Sequence, residues 1–290
     1  MDIVILTDSS CDLPLSYIKE NNIPYLSLTC HLSYGDFKDD FGNTLDYKKF
    51  YNSLRQGEMP KTSQINTYTF EKIFRKYVHE GKSIIYIGMS SAISGCINSA
   101  LIAKNQIIEE IPNADINIVD SKSASIGEGI LVYKAIEMLK LGASKNDVLY
   151  WLETNILKMN HWFMVDNLMH LKRGGRLSST SATIGTLLNI KPIIFINKKG
   201  ELINPYNIRG RKKAIKSLVK AFEDNFTNIE NEVIGITHGD CIEDALHLKE
   251  LLIKEYKIKN VLMNYVGPVL ASHTGENMLS ICFLGKERIF

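Results

Sequence analysis

The chain has 290 residues, 45% of them hydrophobic and 23% charged, with a formal net charge of +2. That length suits two domains of ordinary size and a core that needs no disulfide or metal. A charge this small argues against nucleic acid as a bulk electrostatic partner, and the balance argues against disorder.

The chain opens Met-Asp-Ile-Val-Ile-Leu, and the apolar run stops at Thr7-Asp8. A signal peptide needs a basic start and a longer apolar stretch, and no later segment has the ~18 apolar residues of a membrane helix. Cys11, Cys30, Cys96, Cys241 and Cys282 are odd in number and spread out, with no CxxC pair. They predict reduced thiols rather than a disulfide framework or a zinc site, hence a soluble, cytosolic protein with no metal.

Ile3-Val4-Ile5-Leu6 reads as a first strand ending in Thr7-Asp8-Ser9-Ser10. Ser83-Ile84-Ile85-Tyr86-Ile87-Gly88 is a second, ending in Met89-Ser90-Ser91, and Ile116-Asn117-Ile118-Val119 a third, ending in Asp120-Ser121. A helix follows Ser94, with Ile97, Leu101, Ile102 and Ile108 as its apolar residues, and another follows Ser125, with Ile130, Val132, Ala135, Ile136 and Leu139. Repeated strand–turn–helix units predict a parallel sheet wrapped by helices. Ligands of such sheets sit beyond the carboxyl ends of the strands, here lined by Asp8, Ser9, Ser90, Ser91, Ser94, Asp120 and Ser121. The plain alternative for each is a helix cap.

A second block opens near His161 with the strand Trp162-Phe163-Met164-Val165, then a helical stretch to Leu171 and the basic turn Lys172-Arg173-Gly174-Gly175-Arg176. Residues 178–188 read as a helix and Pro192-Ile193-Ile194-Phe195-Ile196 as a strand, with a hairpin turn at Lys198-Lys199-Gly200. A basic amphipathic helix runs from Arg211 to Phe222, a strand covers Val233 to Thr237, and a helix covers Ile242 to Tyr256. Strands over 260–263 and 279–284 complete the chain. The expectation is two α/β domains: a parallel sheet wrapped by helices in 1–160, a mixed sheet with helices in 161–290, and a ligand site at their interface.

Several motifs stand in one order: Thr7-Asp8-Ser9-Ser10-Cys11-Asp12-Leu13-Pro14, Lys61-Thr62-Ser63-Gln64, Ser90-Ser91-Ala92-Ile93-Ser94-Gly95, Val119-Asp120-Ser121, Leu171-Lys172-Arg173-Gly174-Gly175-Arg176-Leu177, Lys191-Pro192, Gly267-Pro268-Val269 and Ser272-His273-Thr274-Gly275. Together they span nearly the whole chain, which resembles the DegV family. Two positions depart from the family pattern: Cys96 stands for its usual threonine, and Glu276-Asn277 for its usual Pro-Gly. The resemblance implies a bacterial protein that binds one long-chain fatty acid and serves as the non-catalytic carrier subunit of a fatty-acid kinase. The kinase subunit would phosphorylate the exposed carboxyl group.

A long-chain carboxylate needs a dry apolar pocket for its tail and hydrogen-bond donors for its head. Hydroxyls, a helix start and a histidine supply such donors. The resemblance implies that Thr62, Ser94 and His273 meet at the carboxylate, with Ser63, Gly95, Thr274 and Arg173 beside them. By the same resemblance the tail lies in the second domain, with Phe163, Met164, Leu168, Ile184, Leu187, Leu188, Ile190, Ile194 and Val266 as lining. Arg209 and Arg176 are expected to touch the kinase. Arg211, Lys212 and Lys213 begin a helix, where positive charge opposes the dipole, which hints at a use outside the fold.

Two other function classes fit parts of the inventory. A stand-alone hydrolase or phosphotransferase would use Ser94 and His273 with Asp8 or Asp120, or Cys96 as a nucleophile at a helix start. Against it, the sequence has no GxSxG elbow, Walker A loop or HExxH. A regulatory protein would bind a small phosphorylated metabolite or RNA, and the near-neutral charge argues against RNA.

Overall fold

The structure, a computed structural model, describes residues 2–177, 189–227 and 233–288. In chain order the first elements are β1 (Ile3–Asp8), α1 (Leu15–Glu20), β2 (Tyr25–Leu26), β3 (Thr29–Leu32), β4 (Gly35–Lys38), α2 (Tyr47–Arg55), β5 (Lys61–Ser63) and α3 (Thr67–His79). They are followed by β6 (Ser83–Gly88), α4 (Cys96–Glu110), β7 (Ile116–Asp120), α5 (Ser125–Lys140) and α6 (Lys145–Asn155). β1, β2, β6 and β7 form a four-stranded parallel sheet in the order β2-β1-β6-β7. β6 is buried at every position, as a strand covered on both faces must be. Its Ile84 and Tyr86 pack with Phe70 and Phe74 of α3, while Ile85 and Ile87 pack with Ile130 and Val132 of α5.

The second series is β8 (Met159–Met164), α7 (Met169–Arg173), β9 (Ile190–Ile196), β10 (Leu202–Arg209), α8 (Arg211–Asn225), β11 (Val233–His238), α9 (Ile242–Tyr256), β12 (Asn260–Tyr265), α10 (Pro268–Thr274) and β13 (Leu279–Leu284). Six of its strands make one mixed sheet, β10-β9-β8-β13-β11-β12, in which β11 and β12 are the parallel pair. α8 and α9 cover one face through Ile215, Leu218 and Leu248. The expected hairpin is β9–β10. The change of sheet falls at Met159, while one hydrophobic core joins Leu6 and Tyr86 to Phe163, Leu171 and Val266.

α5 lies between the two sheets, packing on β1 and β6 on one side and on β8, β11 and β13 on the other. That placement explains why Ser125 through Val132 are buried without a polar face. Gly129 is needed there, because a Cβ would sit 2.4 Å from the Cys11 carbonyl oxygen.

Three features differ from the sequence expectation. A third sheet, β4-β3-β5, is antiparallel and carries Thr62 and Ser63 at its edge. α10, which carries His273, begins with Gly267 as cap and Pro268 in its first turn, a start signal the sequence reading passed over. On α4 the buried stripe is Ile97, Ala100, Ala103 and Ile107, and the larger Leu101 and Ile102 are exposed. Small side chains let α4 pack closely on α3, so residue size misled the face assignment. The helix expected over 178–188 lies outside the described residues.

Candidate functional site

A cavity of about 340 Å³ lies where the three sheets meet. Such a volume suits a small-molecule ligand. Its wall is apolar over most of its extent, from Leu28, Met89 and Ile93 before residue 160 to Phe163, Ile196 and Val266 after it. Of its polar groups, Thr62 and Ser63 lie on β5, Ser94 just before α4, and His273 and Thr274 on α10.

Thr62 on β5 and His273 on α10 meet in a 2.9 Å contact between Oγ1 and Nε2. Ser94, buried and one residue before the Gly95 cap of α4, lines the same cavity. Its Oγ accepts the Cys96 N–H at 3.3 Å. The Gln64 amide packs against Gly95, its Oε1 2.1 Å from where a Cβ would stand. Gly174 likewise admits His273, whose Nδ1 would lie 2.2 Å from a Cβ there. Ser63 and Thr274 also line the cavity, Ser63 bonded to His31 Nε2 at 2.7 Å.

Burial pushes the His273 imidazole down to about 4, helped by the positive charge of Arg176 and Arg173. The ring is neutral near pH 7 and offers one N–H donor, beside hydroxyls and a helix start. Arg176 lines the cavity with an exposed side chain, its Nε donating to the Ile93 carbonyl at 3.1 Å. The site therefore combines neutral donors with a cation at the mouth, an arrangement suited to a carboxylate.

Arg173 is outside the lining and reaches His170 Nδ1 at 3.3 Å, whereas Arg176 borders the cavity. Arg209 is exposed on β10, opposite Ile190 in the ladder. Arg211 corrects the idea of a use outside the fold: it bonds Asp244 at 2.5 Å, Asp166 at 3.2 Å and the Asn277 carbonyl at 2.9 Å.

Of the expected tail residues, Phe163 and Val266 line the cavity. Met164 alternates to the opposite face of β8 and packs under α8, while Leu168, Ile190 and Ile194 stand outside the lining. Ile184, Leu187 and Leu188 fall outside the described residues. Leu28, Met89 and Ile93 show that the wall draws on both halves of the chain. Gln64, Ser125 and His161 are polar lining the sequence reading did not assign. Gln64 was visible beside Thr62-Ser63, but nothing local marks the other two.

Of the seven strand-end residues, only Ser94 reaches the cavity. Asp8 accepts from Tyr86 at 2.7 Å in the interior, Asp120 binds Ser91 and Lys122, and Ser90 donates to the Gly200 carbonyl. His273 Nε2 pairs with Thr62 rather than Ser94, and neither Asp8 nor Asp120 is bonded to it among the described residues. A nucleophile–base–acid relay is not assembled there. The Cys96 thiol is fully buried and pushed up to about 12 by that burial, the opposite of an activated nucleophile. Asn277 donates to Asp166 at 2.9 Å, so this departure from the family pattern serves the α8 junction and not the cavity. Among the described residues, no group of three or more His, Cys, Asp or Glu side chains is arranged to hold a metal ion.

The family model DegV, described as "Uncharacterised protein, DegV family", matches residues 2–286. The chain belongs to the DegV family. A DegV domain-containing protein of Clostridium perfringens is 46% identical over 285 residues, 98% of each chain. A DegV lipid binding protein from Thermotoga maritima has a similar structure, with TM-score 0.87 and 28% identity over 100% of both chains. A DegV family protein from Thermus thermophilus, described by its fatty acid binding, gives TM-score 0.85 and 31% identity over 98% of this chain and 100% of that one. Among the described residues, no helix of this DegV protein is long and apolar enough to cross a membrane.

Proposed function

We propose that this DegV protein is a cytosolic carrier of one long-chain fatty acid, which it presents to the catalytic subunit of a fatty-acid kinase for acyl-phosphate formation. The observation that carries this reading is the cavity's division: an apolar wall leading to Thr62, Ser94 and His273, with Arg176 at the mouth. Each buried CH2 of the tail contributes roughly 0.8 kcal/mol, and hydrogen bonds at the head offset the cost of desolvating a carboxylate. The fatty acid binding of the Thermus thermophilus relative supports the same ligand class.

In this reading Thr62, Ser94, Gly95 and His273 hold the carboxylate, and Ser63, Thr274 and Arg173 stand behind them. Residues 1–160 and 161–290 act as two domains that share the cavity wall. Arg176 and Arg209 form the face that meets the kinase. The sequence has no Walker A loop, and in this reading phosphoryl transfer falls to the partner.

Native mass spectrometry of the purified protein tests the ligand class. A co-purifying C14–C20 carboxylic acid is expected, and a phosphorylated metabolite in its place would overturn the carrier reading. With ATP, Mg2+ and a fatty acid, the protein alone is expected to form no ADP until a kinase catalytic subunit is added. ADP formed without that subunit, and lost in Ser94→Ala, would make it an enzyme.

A further inference from the structure

His161 forms part of the cavity wall and is not hydrogen-bonded to Thr62, Ser94 or His273 among the described residues. It stands on β8 two residues before Phe163, whose ring it meets at 5.6 Å, and beside Ser123 at the start of α5. The side chain is 3% exposed. Its Nδ1 lies 3.4 Å from Ser123 Oγ, while its Nε2 has no hydrogen-bond partner among the described residues. A buried polar atom without a partner is uncommon and costly.

We propose that His161 makes this site selective for fatty acids bearing a hydroxyl group on the acyl chain. This deepens the carrier reading and rests on it. The chemistry follows from the two tautomers. If the Ser123 hydroxyl donates to Nδ1, Nε2 carries a proton and lacks an acceptor. If Nδ1 donates to Ser123, Nε2 is a lone pair and lacks a donor. A hydroxyl satisfies both cases, because it donates and accepts. A keto group satisfies only the first, and a methylene neither.

A second carboxylate is a poorer fit. Burial holds the imidazole down at about 3, so the ring carries no charge to pair with an anion. Arg288, the nearby cation, is tied to the carbonyls of Ile156, Leu157, Lys122 and Ile196.

The test compares dissociation constants of octadecanoic and hexadecanoic acids with those of 10-hydroxyoctadecanoic, 12-hydroxyoctadecanoic and 16-hydroxyhexadecanoic acids. On the unmodified protein, at least one hydroxy acid is expected to bind about three- to tenfold more tightly than its parent, the span of one net hydrogen bond. In His161→Phe that preference is expected to vanish while the parent acid binds as well or better. In His161→Gln, which keeps an N–H donor, part of it returns. Retained affinity for the parent acid shows that a variant is folded, and His161→Leu replaces His161→Phe if that variant misfolds. The inference is overturned if no hydroxy acid outbinds its parent, if the preference survives loss of the imidazole, or if octadecanedioic acid outbinds every hydroxy acid. Failure of octadecanoic and hexadecanoic acids themselves to bind would bring down the carrier reading as well.

Discussion

Two polar networks run through this molecule, built from the same residue types at the ends of strands and the starts of helices. The first is sealed: Asp8, Asp12, Asp39 and Glu128 are all 2% exposed or less. Their donors include the hydroxyls of Thr7, Ser10, Tyr86 and Ser125 and the backbone N–H groups of Gly267 and Val269. Burial raises all four carboxyls, Asp39 to about 7. The second network opens on the cavity and has neutral His273, the hydroxyls of Thr62 and Ser94, and Arg176. The difference shows where an anion can go. Burial disfavours the charged form of these carboxyls and offers no site to another anion, whereas a neutral imidazole beside a guanidinium has donors to offer one. The two meet at α10: Asp12 and Asp39 accept from the backbone at its start, and His273 stands near its end.

The largest effect is expected from breaking the sealed side. Asp12→Ala removes the acceptor of the Gly267 N–H, a 2.9 Å bond, and of the Ser125 hydroxyl. Leaving buried donors unpaired costs about 3 kcal/mol, or roughly 5–10 °C in Tm for a chain of this size. A shift below about 2 °C in a thermal scan would show that α10 does not depend on Asp12.

Changes on the open side are expected to alter binding and spare stability. Gly174→Ala drives a methyl group to 2.2 Å from His273 Nδ1 and so displaces the ring. Ser94→Ala removes a hydroxyl from the helix start. Each is expected to weaken fatty-acid affinity about tenfold or more, the scale of a lost hydrogen bond to a charged group, with Tm nearly unchanged. Titration at unchanged affinity would leave Ser94 as a cap on the Cys96 N–H alone.

pH separates the two networks by sign. The Asp39 carboxyl is raised to about 7, so the stability it contributes is complete below ~4 and is lost as pH rises through 7. His161, His238 and His273 are held down to about 3, 4 and 4, so their contribution is present above ~6.5 and lost as pH falls toward those values. From pH 6.5 to 8 the last protons leave the unfolded-state histidines, so the three histidines together add about 1 kcal/mol while the Asp39 contribution declines by about 1 kcal/mol. Urea unfolding across that range is expected to show the two nearly cancelling in the unmodified protein and stability rising with pH in Asp39→Asn. A slope identical in the variant would place the titration elsewhere.

The smallest effect on the lipid is expected at Arg209. Arg209→Ala should leave fatty-acid affinity within about twofold while kinase-dependent acyl-phosphate formation falls and resists rescue at high salt, as for a screened contact. Parallel loss of lipid binding would assign Arg209 to the head-group network instead.

The sequence by itself determined the architecture and the family. Ile3 to Leu6, Ser83 to Gly88 and Leu279 to Leu284 are short apolar runs whose period and punctuation report burial locally, and the structure has β1, β6 and β13 there. The order of the Ser-Gly, Arg-Gly-Gly-Arg and His-Thr-Gly motifs carried the resemblance to DegV. Only the tertiary structure decided which of seven similar strand-end residues meets the cavity, that Arg176 rather than Arg173 borders it, and that Arg211 is bound within the fold. It also decided that His161 lines the cavity with one nitrogen unpartnered among the described residues. The reason is one of range. Capping, periodicity and turn chemistry act over a few residues, whereas the cavity wall joins side chains from Leu28 to Met278, and their directions are set by how three sheets pack around α5.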